Sequence, residues 1–431
     1  MERYREYKDS GAQWLGKIPK HWDVIKAKYL WNEVFSFSEN GSENLLSVSQ
    51  YEGVTQAKNE SRSESLKGYK KVAKDNLVIN IMLAWMGGLG VSEYNGIVSP
   101  AYCVYRLKKA ANPQFMHYLY KTPMYLAEFA RHSTGVIPSR WRMYTDDFGQ
   151  VLTLIPPIDE QDKIVSYLDK VTSKIDEAIV QQQKMIDLLN ERKQIIINNA
   201  VTKGLNPNVP MKDSGVDWIG EIPAHWSINR FRNLYKTKTG ITFTKAQLTD
   251  EGQSVISYGQ IHSKDNWGAS VNPILIRHIP YFLTKNKEYA LAYKGDFLFA
   301  DTSEDFEGCG NCVCIDRIEP IYAGYHTIIA KKNNTEYDPY LAYLFASSKW
   351  RGQVRSKVNG VKVYSITQSI LNTCIVVLPP IQEQMNISNF ITKRVNLIDA
   401  EIKRHNERIK LFQERKQIII NDVVTGKVKV S

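Results

Sequence analysis

Cysteine is scarce. Five cysteines in 431 residues make no disulfide framework, which points to a reducing compartment and a cytoplasmic protein. Long apolar runs are absent as well. The most hydrophobic stretch, Leu77 to Val91, is too short and too glycine-rich to cross a bilayer, so no membrane partner is expected. The first residues, MERYREYKDS, are charged, and no signal peptide is expected there. Nucleotide chemistry lacks its usual loop, since GxxxxGK[ST] does not occur. Cys309, Cys312 and Cys314 form a CxxCxC cluster, but no second cysteine pair or nearby histidine completes a tetrahedral zinc shell. Asp301, Glu304, Asp305 and Glu307 read as a solvated acidic loop. The eight histidines are scattered, and no Ser/His/Asp arrangement emerges. No catalytic residue, no metal site and no cofactor are therefore expected in this chain.

What is present is positive charge and internal repetition. A net charge of +11 suggests a polyanionic partner, nucleic acid before membrane, and 43% hydrophobic residues suffice for real cores. Residues 156–202, PPIDEQDKIVSYLDKVTSKIDEAIVQQQKMIDLLNERKQIIINNAVT, return without a gap as residues 379–425, and Glu191 to Asn198 repeats letter for letter as Glu414 to Asn421. Both copies read as long helices. Ile175, Ile179, Gln182, Ile186, Leu189, Lys193 and Ile196 are spaced by fours and threes, as are Ile398, Ile402, His405, Ile409, Phe412, Lys416 and Ile419. That is a coiled-coil seam, and two matched seams favour mutual pairing over leaving two apolar stripes in water. Gln182 and His405, at matching levels of the repeat, would form one polar layer between antiparallel helices. Pro157 and Pro380 suit helix starts, and Gly204 and Gly426 suit helix ends. The Pro-Pro pairs lack the asparagine and the aromatic of the amino-methyltransferase loop.

A second repeat precedes each variable region. KDSGAQWLGKIPKHW (Lys8 to Trp22) and KDSGVDWIGEIPAHW (Lys212 to Trp226) agree at ten of fifteen positions. Trp14, Trp22, Trp218 and Trp226 give it a buried character, so it reads as a docking element that fastens each variable region to the helices; His21 and His225 are structural parts of it. The variable regions, from about Asp23 to Ile155 and from about Ser227 to Val377, mix β-branched and aromatic strands with turns. Strand-like pieces include NLVINIML, SVISYGQI and GDFLFA; Gln114 to Ala130 reads as helix broken near Pro123, and Tyr340 to Ser347 as a short helix. Lys74 to Val78 and Lys294 to Leu298 look like one strand start in two copies. Parts that match between the halves should share a job, which is scaffold. Parts that differ should do different jobs.

These residues resemble the specificity subunits of type I restriction–modification systems. The resemblance rests on WLGKIPKHW and WIGEIPAHW, PPIDEQDKI and PPIQEQMNI, the ERKQIII helix ends, the alternation of two variable with two repeated regions, and NLVINIMLAWMGG, GIVSPAY and SYGQI. It implies an α+β chain with two globular target-recognition domains separated by two long antiparallel coiled-coil helices in a pseudo-twofold circular arrangement. The expected boundaries are 1–155 and 205–378 for the domains, 156–204 and 379–431 for the spacer helices. It further implies a non-catalytic subunit of a methyltransferase/endonuclease complex used in bacterial defence. Each domain would read one half of a bipartite duplex-DNA site through the major groove. Two methylation subunits would dock on it, with restriction subunits in the full complex, and S-adenosylmethionine, ATP and Mg would belong to those partners.

Candidate DNA contacts are the donor-rich stretches before each proline pair. They are Arg131, Ser133, Arg140, Arg142 and Tyr144 in the first half and Arg351, Arg355, Lys357 and Lys362 in the second. Gln260 and His262 are candidate base readers, because base edges in the major groove suit Gln, Asn, Arg and Lys. Lys70, Lys71, Lys236, Lys238 and Lys245 are candidate phosphate contacts. The competing readings are a coiled-coil scaffold whose variable domains bind proteins, and a stand-alone methyltransferase or nuclease. A steep salt dependence of duplex binding distinguishes the first rival; cofactor binding by the isolated chain would reveal the second.

Overall fold

The computed structural model describes residues 2–57, 65–137, 140–358, 360 and 363–430. The repeated stretches are two helices, Ile158–Lys203 and Ile381–Val424, of 46 and 44 residues. The carbonyl of Pro157 takes the first helical hydrogen bonds, from Glu160 N and Gln161 N, and Pro380 does the same for Glu383 and Gln384. Past the other ends Gly204 and Gly426 stand at φ 72° and 73°, where a residue with a Cβ is strained. The rest of the chain is short strands and short helices, so the class is α+β. Two compact units result, Met1–Gln183 with Asn406–Ser431, and Lys184–His405. Each takes the start of one long helix and the end of the other.

The docking motif holds these helix ends. In the first unit Tyr7–Asp9 pairs antiparallel with Lys17–Pro19, which buries Ile18 and Trp22 completely. His21 Nε2 donates to Glu160 Oε2 at 2.8 Å at the start of the first helix, while Gly426, beyond the end of the second, packs on Pro19 and Trp22. The second unit repeats this with other residues. Met211–Asp213 pairs with Glu221–Pro223, His225 Nε2 donates to Glu383 Oε2 at 2.8 Å, and Gly204 packs on Trp226 and Pro223. One motif thus touches the start of one helix and the end of the other, so within each unit the helix pair is antiparallel. The lysines in the seam cross that pair: Lys416 Nζ meets Asp176 at 2.7 Å in the first unit, and Lys193 Nζ meets Asp399 at 2.8 Å in the second. Seam positions Ile186 and Ile398 are buried. Ile175, Ile179, Gln182, Leu189, Ile196, Ile402, His405, Ile409, Phe412 and Ile419 are half-buried.

The sequence reading missed a second anchor, the glutamine of each Glu-Gln pair. Gln161 donates to Pro156 O at 2.8 Å and accepts from Asn112 N at 2.8 Å. Gln384 donates to Pro379 O at 2.9 Å and accepts from Tyr337 N at 3.0 Å. Asn112 and Tyr337 are the N-caps of Pro113–Tyr120 and Asp338–Ala346. Each glutamine therefore ties the start of a long helix to the first helix of the domain beside it. Glu and Gln recurring together in both repeats was the available signal.

Both variable regions use one sheet plan. In the first, Trp31–Glu33, Tyr102–Leu107, Leu77–Asn80 and Leu89–Val91 lie in that order; in the second, Tyr235–Thr239, Thr327–Lys332, Phe297–Ala300 and Cys312–Cys314 do. The matching strand starts turn alike. Asp75 and Gly295 have φ 67° and 91°, and the next side chains, Asn76 and Asp296, accept from Ala73 N at 3.0 Å and Tyr293 N at 2.8 Å. The helix near Pro123 does break, into Pro113–Tyr120 and Pro123–Arg131. SVISYGQI, by contrast, is strand only through Ile256. Tyr258–Ile261 is a one-turn helix, because Gln260 Oε1 accepts from Ser257 N at 3.0 Å and completes a capping box. The second region adds another sheet, Arg277–Ile279, Gln253–Ile256, Ile321–Ala323 and Leu291–Ala292.

His117 lies under the first sheet and gives that unit an acid-sensitive point. Its Nδ1 accepts from Val91 N at 3.1 Å. Burial, with a smaller contribution from the Lys121 charge, holds its pKa down at about 4. The unfolded chain takes up the proton at the ordinary histidine value, so the linked stability is complete above about pH 6.5 and is lost as pH falls towards 4. The loss is roughly 3 kcal/mol. His117→Asn keeps an acceptor without the titration. Urea unfolding of the full chain at pH 7.5 and 4.5 should show a smaller acid loss in this variant; equal losses would acquit His117.

Candidate nucleic-acid interface

The strand starting at Leu77 and its counterpart at Phe297 both run out into a segment that meets the stretch before the domain's last short helix. In the first domain Met143 N donates to Ile81 O at 3.0 Å, and Thr134 and Arg142 form an isolated bridge. In the second, Ile366 N donates to Asp301 O at 2.7 Å, and Thr302–Ser303 pairs with Tyr364–Ser365. An aromatic pair closes each junction: Trp85 on Trp141 with centroids 5.4 Å apart, and Phe306 on Tyr364 at 5.5 Å. The two domains thus present the same lip in different residues.

On the first lip, Arg140 and Arg142 have no acidic partner among the described residues; the Arg142 guanidinium donates to Arg140 O at 3.4 Å. Tyr144 is 52% exposed. Arg131 and Ser133 are already engaged. Arg131 forms a two-pronged pair with Glu128, at 2.8 and 2.6 Å, and Ser133 Oγ donates to Phe129 O at the helix end. Lys70, expected on phosphate, is only 8% exposed and lies 3.5 Å from Glu33. Lys71 remains half-exposed beside Glu43, at 3.3 Å.

In the second domain the expected readers have other work. Gln260 is the cap described above. His262 Nε2 donates to Thr302 O at 2.8 Å, and its Nδ1 accepts from Asn311 Nδ2 at 3.0 Å, so both ring nitrogens are used. Arg351 and Arg355 both donate to Glu307 O, and Arg355 also pairs with the Glu307 carboxylate at 2.8 Å. They clamp the lip from behind, and burial lowers the Arg351 pKa. Of the acidic run, Glu304, Asp305 and Glu307 are exposed, as a solvated loop would be, and Asp301 lies 3.2 Å from His326. Lys357 donates to Thr373 Oγ1 at 2.9 Å; Lys362 lies outside the described residues. Lys236, Lys238 and Lys245 are exposed, the first two on an edge strand, where lysine also discourages strand pairing between molecules. Cys309, Cys312 and Cys314 are buried free thiols. Among the described residues no group of three or more His, Cys, Asp or Glu is placed to hold a metal, and no helix is long and apolar enough to cross a membrane.

The family model described as the type I restriction modification DNA specificity domain matches residues 223–411, one recognition region with its helix. The MjaVIII specificity subunit of Methanocaldococcus jannaschii, a type I restriction enzyme subunit, is 21% identical over 372 residues, covering 84% of this chain and 83% of the relative. The fold matches a chain from a study of complex assembly and conformational transition in a type I R-M system, with TM-score 0.68 and 14% identity over 95% of this chain and 99% of that one. Residues 223–411 thus match a type I specificity domain, and the chain is similar to type I specificity subunits. Another subunit of that kind from the same organism, MjaX, is 25% identical over 287 residues, 64% of this chain but 59% of the relative.

Proposed function

We propose that this chain is the non-catalytic, sequence-reading subunit of a type I restriction–modification complex. Each lip reads one half of a bipartite duplex site through the major groove, and the long helices set the gap between the halves. The observation that carries this reading is a shared lip built from different side chains on a nearly identical scaffold. The net charge of +11 supports a polyanionic partner. Methylation subunits dock on the long helices. Leu188, Ile195, Leu411 and Ile418, matched pairwise by the repeat, stay 49%, 51%, 62% and 60% exposed although the seam is covered, and a regular apolar stripe left open marks a contact surface. Restriction subunits join for cleavage, and S-adenosylmethionine, ATP and Mg act in the partners, in the cytoplasm. Mapping methylated bases in a genome carrying this gene with its partner tests the reading. A two-part motif supports it, and no motif together with salt-insensitive duplex binding would favour a protein-binding scaffold.

On this reading Arg140→Ala and Arg142→Ala each weaken binding to the mapped duplex. A base contact costs about 1–3 kcal/mol, and a phosphate contact lowers the salt slope by about one. Unchanged affinity and slope in both would take this lip out of the interface.

A further inference from the structure

We propose that the aromatic pairs Trp85–Trp141 and Phe306–Tyr364 are positioning residues, each holding its own domain's lip in the pose that discriminates its half-site. The inference rests on the DNA-reading function above and adds which residues set the pose. The two pairs occupy equivalent places in the sheet plan. Each joins the segment after the third strand to the segment before the last short helix, and their interplanar angles are 67° and 65°. Trp85, Trp141 and Phe306 stand outside the hydrophobic cores, and Tyr364 packs on the edge of one. Phe306 is 45% exposed, and Trp85, Trp141 and Tyr364 are half-buried. Matched geometry from unrelated residues at a joint that is only part-buried is what a retained positioning role requires.

Each latch also has a cationic backstop, again built differently. In the first domain the Lys121 ammonium donates to Gly87 O and Gln50 O, both at 2.9 Å, which pins the end of the Trp85 segment. In the second, Arg351 and Arg355 hold Glu307 O, and the Arg355 guanidinium lies 6.0 Å from the Phe306 ring centre. Ring and cation together fix both ends of the segment. The cations used here are therefore withdrawn from DNA, which leaves direct contact to the outward side of the lip.

The test uses the full chain assembled with its methylation subunits. The probes are duplexes bearing the mapped bipartite site, each also with one changed base in either half. Trp141→Leu should lower the ratio of methylation rates, cognate over mismatch, about two- to tenfold at one half-site and leave the other half unaltered. Phe306→Leu should do the same at the opposite half. Trp141→Phe and Phe306→Tyr should restore most of the discrimination, and the salt slope of binding should not move, because no phosphate contact is removed. If discrimination is unchanged while Arg140→Ala still weakens binding, the latch fails and the DNA-reading function stands. If the arginine variants are silent as well, the first lip leaves the interface and the latch proposal falls with it. Equal losses at both halves, or no recovery in the conservative variants, would mean general destabilisation and would also overturn the proposal.

Discussion

Gln161→Leu should lower the stability of the first unit by about 2–4 kcal/mol, and Gln384→Leu should do the same to the second. Both side chains are almost wholly enclosed, at 1% and 0% exposure. Each makes one donated and one accepted bond to backbone, Pro156 O with Asn112 N and Pro379 O with Tyr337 N, and Gln384 also donates to the Glu336 carboxylate. Leucine has a similar volume, so packing changes little, but it strands a carbonyl and an N–H away from water. Each stranded group costs about 1–3 kcal/mol, partly offset by the gain from burying a leucine. By contrast, the neighbouring His21–Glu160 and His225–Glu383 pairs have histidines half in solvent, at 50% and 44% side-chain exposure, so their removal should be felt much less. Urea unfolding of the full chain measures the difference. A glutamine variant no more destabilised than His21→Ala would show that the helix start is held by something else.

The same contrast explains what was legible in the sequence. Periodicity and duplication are local, so the long helices, their seams, the docking motif and the shared strand start could be read directly. The seam lysines stood out as polar residues at apolar positions, but their partners, Asp176 and Asp399, are far away in sequence. Donor-rich stretches look alike whether the donors face DNA or their own fold. Arg351 and Arg355 were expected on DNA and instead hold the carbonyl of Glu307, more than forty positions away. Lys70 was expected on phosphate and meets Glu33. Local warnings were present for Gln260, since Ser257 and Gln260 have capping-box spacing, and for Arg131, three residues after Glu128 on one helix. The lip itself was half visible: Arg140 and Arg142 were found, but Trp85 and Phe306 sit in other segments and are joined to it by the sheet.

Lengthening both long helices by seven residues should widen the preferred gap between half-sites by about three base pairs. Seven residues keep a heptad seam nearly in phase and add about 10 Å of helix. Duplex DNA rises about 3.4 Å per base pair, hence three pairs. The insertions belong beside Gln182 and His405, one in each helix, because lengthening one helix alone would slip the seam. The pairs Asp176–Lys416 and Lys193–Asp399 lie within their own units and are left intact. Three added pairs also turn the second half-site by about a third of a helical turn at roughly 10.5 pairs per turn, so overall activity should fall even at the new optimum. The readout is therefore the preferred gap among duplexes with graded spacers, not the absolute rate. A lengthened protein that folds, assembles with its methylation subunits and still prefers the original gap would show that the domains themselves, rather than the helices, set the spacing.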